Sequence, residues 1–236
     1  MRRPGLTLLE SLLGMALSLL VMAAGFEFFG LAHKVFARVK AGEEAAHGAL
    51  AAVDRMRIDL LHAGRGLVAE MELGLVAAVE ADAATLRAVS LERALDLAAE
   101  ARPGDTRVLL ASAADIVPGR EIVFSDGLGG EVRAVAAVET GAVVLREPLA
   151  GAYSPATAAL SLLDRVAYFL DAPAAVLRRR ANASPAQPLL EGVAAAAWSH
   201  DPVSRLVRLR LELTVEGAHP HEATVFLKNP SLAVAR

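Results

Sequence analysis

The chain has 236 residues, 55% of them hydrophobic, and a mean hydropathy of +0.43. Those values exceed what a wholly soluble protein needs and fall short of a multi-span one, so they fit one membrane segment on a domain large enough for its own core. The net charge of −3 lacks the basic excess of a nucleic-acid-binding domain. The absence of cysteine excludes disulfides, cysteine zinc sites and thiol catalysis.

The N-terminus is a short basic leader, Met1-Arg2-Arg3-Pro4, ending in Gly5. From residue 6 to residue 26 the only charged side chain is Glu10. About 20 apolar residues cross a bilayer as a helix. An acid inside such a helix costs a few kcal/mol, so by default it has a function and a partner. A removable secretory signal would need small residues in an A-x-A arrangement at its end, and Met22-Ala23-Ala24 matches poorly. A twin-arginine signal fits less well, because Arg2-Arg3 stands at the extreme start without the usual surroundings. The leader arginines favour a cytoplasmic N-terminus, although Lys34, Arg38 and Lys40 beyond the span blunt that asymmetry.

The run Gly5-Leu6-Thr7-Leu8-Leu9-Glu10 resembles the class III signal of type IV pilins and pseudopilins. The usual first mature residue of that family is Phe, and here it is Leu6. The resemblance implies cleavage between Gly5 and Leu6 by a prepilin peptidase and methylation of the new Leu6 amine. It also implies that Glu10, fifth in the mature chain, serves assembly. In a low-dielectric bundle of helices a carboxylate would attract the N-terminal ammonium of a neighbour strongly. Pairing with the amine of its own chain, one turn away, is the alternative.

Beyond the span, Leu31, Val35 and Val39 continue at helical spacing, and Ala46, Ala49, Val53, Met56 and Leu60 extend one apolar stripe. Proline is absent from residue 5 to residue 102, and His62-Ala63-Gly64-Arg65-Gly66 supplies a stop. A helix over 6–62 would be roughly 80 Å long. Gly14, Gly25 and Gly30 lie in its apolar half. Small residues there either admit close helix contact or reflect ordinary membrane-helix composition.

Residues 68–100 carry no clear period and are read as a helix or a mixed segment. From Asp105 the pattern turns to β. Strands are predicted at 107–110, 121–124, 131–138, 142–145, 165–170, 175–178, 207–215 and 224–227. Ser125-Asp126-Gly127-Leu128-Gly129-Gly130 marks a hairpin, and a phosphate-binding loop there would need a following helix. Residues 207–215 alternate strictly, which means one face on a core and one in water. Arg178-Arg179-Arg180 is read as a solvated strand end. The order of the later motifs, from Tyr168-Phe169-Leu170 through Gln187-Pro188 to Leu227-Lys228-Asn229, resembles the C-terminal half of the larger minor pilins, the group with the W-type minor pilin and the J-type pseudopilin of type II secretion.

No residue set for catalysis, a metal or a cofactor is read. Ser199-His200-Asp201 holds triad residue types side by side, but triad members are gathered by the fold. His219-Pro220-His221 lacks the acids or thiols that would complete a metal site.

The expectation is therefore an α+β protein with a leader at 1–5, a long helix at 6–62 (membrane span 6–31) and a mostly antiparallel periplasmic domain at 63–236. The resemblance implies a minor pilin or pseudopilin of the inner membrane. Its partners would be prepilin peptidase and other pilins through the N-terminal helix, with no nucleic acid. An uncleaved membrane-anchored binding or scaffold domain is the alternative.

Overall fold

A computed structural model describes residues 8–215 and 219–229. Helix α1 spans Leu8–His62. The chain divides into two compact units, one ending at Ala46 and the other beginning at His47. In the first, the only regular element among the described residues is the apolar part of α1, which exposes large hydrophobic side chains on all sides. One 18-residue window reaches a mean hydropathy of 2.0 with none of it buried, so α1 is long and apolar enough to cross a membrane.

In the second unit the last turns of α1 bury Ala49, Ala52, Met56 and Leu60. Those residues are spaced at three and four, so they share one face. The helix stops where Gly64 and Gly66 adopt left-handed φ of 75°. The Gly64 N–H then donates to the Val89 carbonyl at 2.7 Å, which carries the chain onto the sheet. A Cβ at Gly66 would stand 2.8 Å from that of Leu91. The short helix α2 (Val68–Glu72) follows, and Glu70 accepts a 2.5 Å hydrogen bond from Ser161 in a buried pair.

Residues 68–100 are thus mixed, with β1 (Val79–Ala81) and β2 (Thr85–Leu95) after α2. The chain continues through β3 (Arg107–Leu109), β4 (Glu121–Ser125), β5 (Gly130–Glu139), β6 (Ala142–Leu145) and β7 (Ala159–Asp171). After a turn of 3-10 helix come β8 (Val176–Ala181), β9 (Gln187–Glu191), β10 (Val193–Asp201), β11 (Leu206–Leu213) and β12 (His221–Phe226). Strands β9 and β10 are absent from the sequence-based expectation, and β7 begins six residues before the strand predicted at 165–170. The predicted strands at 207–215 and 224–227 shift to β11 and β12.

All strand pairs are antiparallel, in a nine-stranded sheet and a three-stranded sheet β10-β11-β12. The longer sheet is organised by β7. One edge of β7 pairs with β2 from Thr85↔Phe169 to Leu95↔Leu160. Its other edge pairs first with β4, from Ser125↔Ala159 to Ile122↔Leu162, and then with β8, from Val166↔Ala181 to Asp171↔Val176. The sheet forks between those two partners. Strands β5, β6 and β3 extend the β4 branch, and β9 extends the β8 branch.

Two cores result. In the first, Met56 and Leu60 of α1 meet Tyr168 and Leu177 of the longer sheet and Leu209, Leu211 and Val225 of the shorter one. In the second, Ile122, Phe124, Val135, Leu160 and Leu162 pack around Tyr153. Full burial of such a side chain is worth about 1.5–3 kcal/mol, so the last turns of α1 are an integral wall of the first core.

Glu131 ties the loop before β7 to β5. Its carboxylate accepts the N–H groups of Ala150 and Gly151 at 3.0 and 2.9 Å and the Tyr153 hydroxyl at 2.9 Å, and it pairs with Arg133. Burial pushes its pKa up, but these donors more than offset that and hold it below the usual glutamate value. A depressed native pKa gives stability that is present above the unfolded value, about 4.3, and is lost as pH falls through the native one. Glu131→Gln should therefore lower stability by about 1–2 kcal/mol at pH 7. In denaturation curves across pH, the gap to the parent should shrink below about pH 4.

Candidate functional site

Gly5 and Leu6, the expected processing residues, lie outside the described residues. Glu10 occupies the first turn of α1 and is exposed. The residues around it are Leu8, Leu9, Leu12 and Leu13, all more than half exposed. Within the apolar half, Ser18 donates its hydroxyl to the Gly14 carbonyl at 2.8 Å, which hides a polar group inside an apolar helix. A Cβ added at Gly14, Gly25 or Gly30 would meet nothing within 4 Å. Packing within the described chain therefore does not require these glycines.

A second polar cluster, which the sequence reading missed, anchors the last turns of α1 within the second unit. Asp59 accepts the Tyr168 hydroxyl and the Arg179 Nε–H, the latter at 2.7 Å. Arg55, one turn earlier, adds a cation at 3.5 Å. Burial, then the hydrogen bond to Asp59, raises the Tyr168 pKa well above the usual phenol range. Burial disfavours the Arg179 charge, but Asp59 outweighs it and holds the guanidinium protonated.

The arginine run is consequently not a simple solvated strand end. Arg178 pairs with Asp171 at 2.8 Å, Arg179 reaches Asp59, and Arg180 is exposed over the Phe169 ring at 5.8 Å. The alternation of a β-strand sends the middle side chain to the helix face and its neighbours to the other. A run of three arginines carries no signal of that division, because the partners lie 7 and 120 residues away in sequence.

The other motifs resolve into structure. Asp126 accepts the N–H groups of Leu128 and Gly129, both at 2.9 Å, which closes the β4–β5 hairpin. Strand β5 follows it, so the glycines have no helix N-terminus to complete a phosphate cradle. Ser199 and His200 are neighbours on β10 and face opposite ways. Asp201 accepts the Ser204 hydroxyl and the Val203 N–H in the β10–β11 turn, which lowers its pKa. The fold does not gather these three as a triad. No cluster of three metal-ligating side chains occurs among the described residues.

No family model matches the chain, and no curated protein matches it. Three tailspikes are among the solved structures that match. That of Pseudomonas phage phi297 is 17% identical over 31% of this chain and 14% of its own, with a TM-score of 0.28. The tailspike of Acinetobacter baumannii bacteriophage AP22 is 16% identical over 33% of this chain and 15% of its own, with a TM-score of 0.29. That of Pseudomonas phage LKA1 is 27% identical over 31% and 14%, with a TM-score of 0.28. The matched part is a small fraction of each tailspike, and likeness at this level defines neither fold nor function.

Proposed function

We propose that the chain is a minor pilin or pseudopilin of the inner membrane. In this reading a prepilin peptidase cuts after Gly5, the Leu6 amine is methylated, and the subunit enters a short helical fibre of a type IV pilus or a type II secretion system. The observation that carries the reading is Glu10 in the first turn of a 55-residue helix, directly after the Gly5-Leu6 junction. That helix exposes its apolar half and buries its last turns in the core of an antiparallel domain. An apolar, unburied half-helix suits a bilayer first and the same half of neighbouring subunits afterwards. The domain is then periplasmic, and Glu10 supplies the counter-charge for an incoming Leu6 ammonium.

Intact mass tests this directly. Protein from membranes of cells with the peptidase should lack Met1 to Gly5 and carry one added methyl group, and protein from cells without it should keep the leader. An unchanged N-terminus in peptidase-competent cells would overturn the reading in favour of an uncleaved, membrane-anchored binding or scaffold domain.

A further inference from the structure

The fork in the longer sheet opens a cavity of about 470 Å³, lined in part by Arg87, Arg120, Arg165 and Arg180. We propose that this cavity binds a small organic ligand through an oxyanion group, a phosphate or a carboxylate. The proposal is independent of the assembly role argued above.

Strand register builds the site. Arg87 of β2 pairs with Ala167 of β7, and Ala167 pairs with Arg180 of β8, so the three form one row across the sheet. Residues in register point to the same face, and adjacent strands lie about 4.8 Å apart. The two arginine α-carbons therefore stand about 10 Å apart, with only the Ala167 methyl between them. Arg165, two residues before Ala167 on the same strand, points to the same face. Three guanidinium groups thus surround a small apolar floor.

The walls come from two loops. Gly119, at a left-handed φ of 86°, passes so close to Ala183 that a Cβ there would stand 2.9 Å from the Ala183 Cβ. The Asn182 side chain ties the end of β8 to β7, accepting from the Arg165 backbone N–H at 2.7 Å and donating to Asp164 at 2.8 Å. The volume of this open cleft falls in the range of small-molecule sites and exceeds what a bare phosphate would fill.

Charge and hydrogen bonding both favour an anion. Four arginines line the cavity against one carboxylate, Glu121. Behind them, Arg87 pairs with the half-exposed Glu80 and Asp82 at 3.6 and 3.4 Å, and Arg120 pairs with Glu92. Arg180 pairs with no carboxylate among the described residues and lies over Phe169. Arg120 is itself buried, yet its Nε has no hydrogen-bond partner. Arg165 pairs with Glu121, Nε to Oε2, at 2.5 Å. Buried donors without acceptors are rare in folded proteins. Planar guanidinium groups match the two-oxygen edge of a carboxylate or phosphate.

The test is calorimetric titration of the full chain in detergent at fixed ionic strength. The probes are citrate, glucose 6-phosphate and inorganic phosphate, with glucose as the neutral control. Saturable binding of at least one anionic probe and none of glucose is expected. Arg180→Gln, which breaks no ion pair, should weaken it at least tenfold, and Ala167→Leu, which fills the floor, should abolish it. Binding of citrate alone assigns a carboxylate ligand, and binding of glucose 6-phosphate alone assigns a phosphate ester. No saturable binding by any anionic probe, or binding unchanged in Arg180→Gln, overturns the proposal. That variant decides the matter even if Ala167→Leu fails to fold.

Discussion

Asp59→Ala should destabilise the domain by about 3 kcal/mol, the low end for breaking a buried ion pair. Asp59 is 9% exposed and Arg179 is 20% exposed, so the guanidinium left behind keeps some access to water. The Tyr168 hydroxyl, fully buried, would lose its acceptor as well. Denaturant titration of the full chain in detergent, followed by fluorescence of the single tryptophan, reads the effect. That residue, Trp198, reports on folding because its indole N–H donates to the Asp82 carbonyl at 2.7 Å, tying the shorter sheet to the β1–β2 turn. Arg179→Leu in the Asp59→Ala background should recover part of the loss, because it removes the orphaned charge. A loss under about 1 kcal/mol, typical of an exposed pair, would mean that α1 is held by its apolar face alone.

On the proposed pilin reading, Glu10→Ala should leave the processed mass unchanged and cut incorporation into a fibre at least tenfold, a factor that needs only about 1.4 kcal/mol. A charge pair out of water is worth more than that, and an ammonium entering a helix bundle without its counter-charge is penalised. Glu10→Gln keeps the shape and removes the charge, so it should fail equally. The measurement is the fraction of the protein in sheared fibres relative to membranes. Normal incorporation of both variants would remove electrostatic pairing from the proposed mechanism while leaving the proposal of cleavage at Gly5 untouched.

The parts of the fold that were legible in sequence are those with local causes. The stop at His62 rests on two glycines within four residues, and the β4–β5 hairpin rests on Asp126 and the glycines around it. Strand β11 alternates because only one of its faces meets a core. Strands β2 and β7 were obscure for the opposite reason. Ala88, Val89 and Ser90 are buried consecutively, as are Leu160 to Leu163, since both faces of the sheet are covered there. A strand buried on both sides loses the period of two. In β10 the alanine run from Ala194 to Ala197 offers too little contrast between faces to show a period.

The polar clusters were illegible because their members are distant in sequence. Asp59 meets Arg179 across 120 residues, and Arg120 meets the Leu163 carbonyl across 43. Glu10 differs, since its signal is a single acid in an apolar run and needs no fold to be seen.

The position of β7 also dictates an order of events as the chain is made. Strands β2 and β4 each leave one edge for β7 to complete, and β7 begins only at Ala159. Until that point has been synthesised, two strands present open backbone edges, which invite pairing with other chains. Both cores draw residues from β7, so neither can close first and shelter the other. Closure of the two cores therefore waits until about two thirds of the chain has been made and then proceeds around one strand, the slow, long-range route expected of sheet topologies with high contact order.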